Sequence, residues 1–356
     1  MNGKKKIKNF SSRLAWSVMT ALCALASSFG ALAAYAVEPA GGASRGYIAS
    51  LDERVERHSV SCKTRYGMTI AGDLYYAKDL DRARKHPALV VGAPYGGVKE
   101  QGPCVYANEL ALRGFVVLTF DQAFMGDSGG KPRNVSSPDL FVESFSASVD
   151  FLGLQGFVDR EKIGVIGICG SGSFALSAAQ CDTRIKAVAT ASMYDMTVAS
   201  RLDMDKAALR QAKEKLSAQR WIDAEKGYPE YIPAFPETPL DKVPDGIPEP
   251  AAEWMRFYAV KRGHHPHARG GFTTTSRLPF INFRLLDYVD EISPRPILLI
   301  VGDRAHSKFF SEAVYEKAAE PKELYVVQDA EHIDLYDRTD RIPFGKLESF
   351  FKANLR

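Results

Sequence analysis

Cysteine is scarce in this chain, with five residues among 356. One of them, Cys23, lies in an N-terminal apolar stretch, so the body of the protein has four: Cys62, Cys104, Cys169 and Cys181. Four cysteines in a body this long do not form the disulfide framework of a small secreted domain. A Cys62–Cys104 bridge would suit an oxidising compartment, but sequence does not determine pairing. Buried thiols are expected at Cys62, Cys104 and Cys181.

An excess of charge of one sign is also absent. The formal net charge is +3, but five basic residues precede the first acidic residue, Glu38, so the rest of the chain carries −2. Proteins that bind nucleic acid normally cluster Lys and Arg on one face. The charge balance therefore excludes a nucleic-acid partner.

Neither a nucleotide fingerprint nor a metal-ligand cluster is evident. DSGGKP at 127–132 lacks the GxxxxGK spacing of a phosphate-binding loop, so no nucleotide cofactor is implied. HHPH at 264–267 contains a proline and has no accompanying carboxylate cluster, so a metal site is not predicted there. We therefore expect an activity that requires neither a nucleotide cofactor nor a metal ion.

The first 36 residues have the pattern of a secretory signal peptide. KKKIK at 4–8 is followed by an uncharged apolar run at 14–29 and by the small residues ALAAYA at 31–36. Cleavage after Ala36 or Ala33 would release an exported protein, periplasmic or secreted. The alternative is an uncleaved anchor, because about 20 apolar residues can span a bilayer.

Beyond a polar linker at 37–53, the chain alternates between strand-like and helix-like segments. Residues 54–78 hold two strand-like runs around RYGM, which predicts an antiparallel hairpin. Continuously apolar runs suit strands buried on both faces of a sheet. Six such runs follow: PALVVGAP, FVVLTFD, IGVIGIC, IKAVATAS, PILLIVGD and ELYVVQDA.

The segments between these runs are long enough for crossover helices. Strand–helix–strand repetition predicts an α/β fold over 54–356, with a mostly parallel central sheet flanked by helices. The alternation is interrupted at about 200–292 by a charged helical stretch, a segment rich in Pro and aromatic residues, and a Gly-rich stretch. We interpret this segment as a helical lid inserted between two strands of the sheet.

GICGSG at 167–172 lies where IGVIGIC meets the next predicted helix. A nucleophile on a sharp strand-to-helix turn requires small residues two positions before and after it, because its own backbone is strained. Gly167 and Ser171 occupy those positions around Cys169. The helix N-terminus would lower the pKa of the thiol. Ser171 is a weaker candidate nucleophile, because Ser173, its following small neighbour, would fall past the turn.

His332 directly follows the last predicted strand, in QDAEHIDLYD, and is the predicted general base for Cys169. An acid that orients the imidazole is expected after PILLIVGD, commonly three residues past the glycine, but that position is Ala305. Asp303 is the nearest carboxylate and is predicted as the acid. Asp195, after the preceding strand, is the alternative.

Two backbone donors are expected for the oxyanion of a tetrahedral intermediate. One is the N–H of Gly170, the residue after the nucleophile. The other is expected from GAPYGG at 92–97, where Pro94 has no N–H, and Tyr95 could supply either its N–H or its phenol.

Together, GICGSG, SMYDM, DQAFMGDSGG, ISPRPILLIVGD and AEHIDLYD resemble the dienelactone-hydrolase-like branch of the α/β hydrolases, including exported members. The resemblance covers about residues 55–355 apart from the lid. It implies the α/β-hydrolase fold, a Cys–His–acid triad and hydrolysis of esters or lactones, with no cofactor. The position of the acid departs from the family pattern.

Three functions compete at this point. The first is a hydrolase that cleaves an ester, lactone or related acyl bond of a small molecule through Cys169, His332 and Asp303. The second is a catalytically silent hydrolase fold that binds a ligand, suggested by the missing acid. The third is a serine peptidase of the prolyl-peptidase branch, suggested by PYGG and the lid.

Overall fold

The computed structural model describes residues 46–356 and the backbone of a two-residue strand at Glu38–Pro39. The predicted signal peptide at 1–36 and most of the linker lie outside the described residues. Within the part of the chain that is described, no helix combines the length and apolar character needed to cross a bilayer.

In the part of the chain that the structure describes, nine strands form one sheet in the order β1-β2-β3-β5-β4-β6-β7-β8-β9. The strands are β1 (Glu38–Pro39), β2 (Val55–Lys63), β3 (Thr69–Ala77), β4 (His86–Gly92), β5 (Val116–Phe120), β6 (Val158–Ile168), β7 (Ala187–Ala191), β8 (Ile297–Gly302) and β9 (Lys322–Val327). Strands β1, β2, β3 and β5 pair antiparallel, and all pairs from β5 across to β9 are parallel. The predicted hairpin is β2–β3, and the six apolar runs form β4 to β9. The α/β-hydrolase fold class is confirmed.

Apolar side chains on both faces explain why β4 to β8 lie at the centre of the sheet. Every residue of β5, β7 and β8 is buried. The helices that cover the sheet are α1 (Gly102–Ala111), α2 (Pro138–Gly153), α3 (Ser171–Cys181), α8 (Lys308–Lys317), α9 (Asp334–Asp337) and α10 (Phe344–Asn354). Burial of these continuous runs provides the main driving force for the fold.

The segment between β7 and β8 contains the residues predicted as a lid. Its helices are α4 (Met196–Ala199), α5 (Lys206–Lys226), α6 (Ala251–Tyr258) and α7 (Arg277–Asn282), with short 3₁₀ helices at Thr274–Ser276 and Val289–Ile292. Helix α5 is largely exposed, and Leu216 is its one buried residue. Helix α6 packs on the body, where Phe257 is fully buried and meets the Tyr336 ring edge to face at 5.1 Å.

Candidate active site

Cys169 occupies a strained turn between β6 and α3. Its φ is +53°, in the left-handed region that residues with a side chain rarely adopt. A Cβ at Gly167 would lie 2.2 Å from the Ser171 carbonyl oxygen, so only glycine fits two positions before the cysteine. This close approach of strand and helix holds the thiol at the carboxyl end of the parallel strands, where α/β folds place their ligands.

Ser171 occupies the second small position as the first residue of α3. Its hydroxyl is fully buried and donates to the Ala93 carbonyl at 2.5 Å. Gln122 Nε2 donates to the Ser171 hydroxyl oxygen at 3.4 Å. Ser171 therefore links the turn to the end of β4 by a hydrogen bond. Cys169 lines the cavity, and Ser171 does not.

Three hydrogen-bonding groups surround the Cys169 sulfur. They are the backbone N–H groups of Gly170 and Tyr95 and the phenol of Tyr336. Burial nevertheless raises the pKa of Cys169, and the three hydrogen bonds only oppose that rise. The pKa of Cys169 is thus raised and not lowered as expected from its place at a helix N-terminus, because burial disfavours the charged thiolate. The resting group is a neutral thiol.

His332 is fully buried between two hydroxyl groups. Its Nδ1 lies 2.6 Å from Ser307 Oγ, and its Nε2 lies 2.9 Å from the Tyr336 hydroxyl. Burial lowers the pKa of His332 well below its usual value, and the neighbouring His306 adds to the effect. The imidazole is thus held neutral, the state in which one ring nitrogen can accept a proton.

Tyr336 links the thiol to the imidazole. It lies in α9, four residues after His332, and its side chain is fully buried. Its hydroxyl hydrogen-bonds both Cys169 and His332 Nε2. Both residues belong to the motif AEHIDLYD. Their spacing of four residues, about one helical turn, was the sequence signal that could have placed Tyr336 beside His332.

The two carboxylates considered as acids bond elsewhere. Asp303 accepts a hydrogen bond from the Ala330 N–H at 3.3 Å, and both ring nitrogens of His332 bond to Ser307 and Tyr336 instead. Asp195 caps α4 by accepting from the N–H groups of Thr197 and Val198. The prediction that the imidazole donates a hydrogen bond to Asp303 is therefore wrong in this structure, because the loop after β8 places Ser307 at Nδ1 of the ring.

A buried carboxylate does approach the site, but from the lid. Glu253 of α6 is 5% exposed, bonds His306 Nδ1 at 2.7 Å and accepts from the Ile333 N–H at 3.0 Å. His306 in turn contacts the Tyr194 hydroxyl at 2.5 Å, and its ring centroid lies 4.8 Å from that of His332. Sequence reasoning missed this pair, because α6 and the loop after β8 meet only in the folded chain.

A cavity of about 540 Å³ opens above Cys169. Tyr95 and Tyr336 line its base, and its walls include the lid residues Phe235, Trp254 and Tyr258. The lining is dominated by apolar and aromatic side chains, as is typical of small-molecule sites. The lid aromatics divide into two groups, since these three face the cavity whereas Trp221 and Tyr228 of the same segment are exposed.

The remaining cysteines are free thiols in the described part of the chain. Burial raises the pKa of both Cys62 and Cys104 to about 12, so both are expected to be inert. Cys181, at the end of α3, is exposed, so the expectation that it is buried is wrong.

The histidines of the HHPH segment have separate surroundings. His264 Nε2 lies 3.1 Å from the Pro236 carbonyl, and His267 lies 3.6 Å from Asp127. No group of three metal-ligating side chains occurs among residues 46–356.

Comparison with known proteins establishes the family. No protein-family model matches the chain. The chain is 49% identical over 312 residues to PA2218 of Pseudomonas aeruginosa, an uncharacterized protein, covering 86% of this chain and 82% of the relative. It is 31% identical over 276 residues to YcjY of Escherichia coli, also uncharacterized, covering 76% and 89% respectively.

Solved structures give the same picture. The crystal structure of PA2218 matches with a TM-score of 0.82, covering 86% of this chain and 96% of that one. The α/β hydrolase GrgF from Penicillium matches with a TM-score of 0.70 at 22% identity, covering 84% and 99%. More distant relatives in sequence are named thiohydrolases, polyketide transferases and an acyltransferase.

With its sheet order, its strained turn at Cys169 and these relatives, the chain belongs to the α/β-hydrolase superfamily. Within that superfamily, the distant relatives reported above carry the names of hydrolases and acyl transferases.

Proposed function

We propose that this protein is a hydrolase of ester, lactone or related acyl bonds in which Cys169 forms a covalent acyl-enzyme. The observation that carries the proposal is the set of donors around one sulfur. The thiol of Cys169, on a strained backbone turn, faces an apolar cavity and has two backbone N–H groups beside it. The phenol of Tyr336 hydrogen-bonds both this thiol and the neutral imidazole of His332. This is the arrangement that nucleophilic acyl transfer requires.

Activation of the thiol moves two protons. The Cys169 proton passes to the Tyr336 oxygen while the phenol proton passes to His332 Nε2, which leaves a thiolate, an intact phenol and an imidazolium. Ser307 accepts a hydrogen bond from Nδ1–H, which fixes the tautomer whose Nε2 is free to receive the proton. In this proposal Ser307 takes the orienting role that Asp303 was expected to fill.

The thiolate then attacks the acyl carbon. The carbonyl oxygen becomes an oxyanion that accepts hydrogen bonds from the Tyr95 and Gly170 N–H groups. When the tetrahedral intermediate collapses, the bond to the leaving alcohol breaks and the alkoxide takes the proton from His332 through Tyr336. The product is a thioester on Cys169, which water hydrolyses with His332 again as base.

Acyl transfer to an alcohol, amine or thiol is the second candidate. A hydroxyl at Nδ1 stabilises an imidazolium less than a carboxylate would, so activation of water for deacylation is expected to be slow. A better nucleophile than water would then resolve the thioester. The related proteins named polyketide transferases and acyltransferase support this alternative.

The dienelactone-hydrolase-like branch and export by the N-terminal segment are part of the proposal. The apolar lining of the cavity suits a small-molecule substrate with a substantial apolar portion. Neither the silent binding protein nor the serine peptidase is favoured, because the donors converge on Cys169 and the Ser171 hydroxyl bonds Ala93.

Replacement of Cys169 tests the proposal directly. With short-chain, aryl and lactone esters as substrates, Cys169→Ala should lower kcat/KM by ~10³-fold or more, and an acyl adduct on the wild-type protein should map to the peptide containing Cys169. Cys181→Ala is the matched control, since Cys181 is exposed at the far end of the same helix. Equal turnover by both variants would exclude a cysteine nucleophile, and absence of turnover in the wild type across the panel would favour the binding protein.

A further inference from the structure

A second cavity adjoins the cavity of Cys169, and a narrow ribbon of the lid separates the two. The ribbon consists of residues 231–235 and 269–273, which pair through bridges between Ala234 and Gly270 and between Tyr231 and Thr273. The Ile232 N–H donates to the Phe272 carbonyl at 2.9 Å. Residues of the ribbon, including Ile232 and Arg269, line both cavities.

The second cavity differs from the first in its charge. It measures about 480 Å³ and lies between the ribbon and the body loop at 126–134. Arg133, Arg269 and His267 line it, and none of its lining residues from the described part of the chain is a carboxylate. The cavity of Cys169, in contrast, is lined mainly by apolar and aromatic residues.

The guanidinium of Arg133 is held by backbone carbonyls. Its Nη1 donates to Ser128 at 2.5 Å and to Gly130 at 3.3 Å, and its Nη2 donates to Gly126 at 2.6 Å. In the described residues it takes part in no ion pair within 4 Å, so its charge is oriented but not neutralised. Carbonyl groups fix its position and leave the attraction for an anion in place.

The charge of Arg269 is only weakly compensated. Its Nε donates to the Phe235 carbonyl at 2.8 Å, which ties it to the ribbon. Its ion-pair partner Glu237 lies 3.4 Å away, and that carboxylate is 85% exposed. Exposed pairs of this kind contribute little and exchange readily with water or a ligand.

Asp127 is a further carboxylate beside this cavity, 3.6 Å from His267. It contacts Lys99 Nζ at 2.9 Å and shares that cation with Glu100 and Asp121. Asp127 and Glu237 therefore flank the cavity, whereas the two arginines are the charged groups that line it.

We propose that the substrate of Cys169 carries an anionic group, a carboxylate or a phosphate, which Arg269 and Arg133 bind in the second cavity while an apolar portion fills the first. The inference rests on the proposed function and names the substrate class of that site. Because Arg269 lines both cavities, a linear amphiphile that occupies both would contact it. Guanidinium groups match the planar geometry of carboxylate and phosphate oxygens.

Binding to a variant that cannot turn over separates this claim from catalysis. Linear alkyl carboxylates and alkyl phosphates of six to ten carbons, and the corresponding primary amides, would be titrated calorimetrically into Cys169→Ala. At least one anion should bind about tenfold or more tightly than the amide of equal length, and its affinity should fall as salt is added. Comparison of the two anion series decides between carboxylate and phosphate.

Arginine variants in the Cys169→Ala background locate the site. Arg269→Gln should remove most of the preference for the anion, whereas Arg133→Lys, which keeps the charge but not the fork of donors, should weaken it. Arg277→Gln is the matched control, since this lid arginine also bonds a backbone carbonyl, that of Ser200, and lines neither cavity.

Two results would overturn the inference: equal affinity for anion and amide, or a preference that survives in Arg269→Gln. Turnover of neutral esters by the wild type tests the proposed function separately. If Cys169→Ala still hydrolyses esters but shows the anion preference, the nucleophile is wrong and the anion site stands.

Discussion

At the scale of single residues, Tyr336 distinguishes this site from a thiol and an imidazole in direct contact. The raised pKa of Cys169 and the lowered pKa of His332 both favour the uncharged pair. An intervening phenol can relay a proton between two neutral groups without a stable charge on itself, because it donates and accepts at the same oxygen. The proton path through Tyr336 therefore depends on two features. Burial keeps the thiol and the imidazole neutral, and the phenol lies between them.

Tyr336→Phe tests this relay. The ring should remain packed against Phe257, but the thiol loses its path to His332, so kcat/KM should fall by about 10²–10⁴-fold. Alkylation of Cys169, followed from pH 6 to 10, should shift to higher pH, since the phenol is one of the groups that lower its pKa. Phe257→Leu is the control for packing, because this buried ring meets Tyr336 edge to face at 5.1 Å and carries no hydroxyl. Equal losses in the two variants would argue for a packing effect instead of a relay.

At the scale of secondary-structure elements, strands β4 to β9 could be predicted because each is a local run of apolar residues. The turn at Cys169 could also be predicted, since glycine two positions before a nucleophile is a local requirement. The partners of the two site histidines could not be predicted from local sequence. Ser307, which follows β8, contacts His332, whereas Glu253 of the lid contacts His306, so both contacts depend on how α6 and the loops after β8 and β9 pack together.

The turn between β6 and α3 yields a prediction for that element. Gly167→Ala would place a methyl group 2.2 Å from a backbone oxygen, so strand and helix must move apart. We expect a loss of about 2–4 kcal/mol in unfolding free energy and a larger fractional loss of activity, measured by urea denaturation and ester turnover. Gly156→Ala is the control, because a Cβ there meets no atom within 4 Å. Wild-type stability and activity in Gly167→Ala would mean that the turn is not constrained as described.

At the scale of the whole molecule, a buried charge cluster ties the loop that carries Tyr95 to the sheet. Lys99 is 1% exposed and bonds Glu100 and Asp121, and the Lys99 N–H donates to Asp121 at 2.8 Å. Asp73, also buried, accepts from the Tyr47 hydroxyl. With more buried carboxyl groups than cations, the cluster is costly to ionise fully. Sequence could not reveal it, because these charges come from three strands and their loops.

Glu100 makes this cost measurable as a pH dependence of stability. Burial, followed by repulsion from Asp121, raises the pKa of Glu100 to about 8, above the ordinary value of 4.5. Between these values the folded protein holds a proton that the unfolded chain releases, so the stability contributed by this group falls as pH rises from about 4.5 to 8.

Glu100→Gln tests this pH dependence, because the glutamine side chain is neutral and does not titrate. The decline in Tm from pH 5 to 8 should therefore be smaller in the variant by about 2–5 °C, even if its absolute Tm is lower because the amide accepts a weaker hydrogen bond from Lys99. Glu109→Gln on α1, whose partner Arg113 lies near the surface, should keep the wild-type slope. A decline as steep in Glu100→Gln as in the wild type would show that Glu100 is ionised throughout this range and that Lys99 compensates its charge in full.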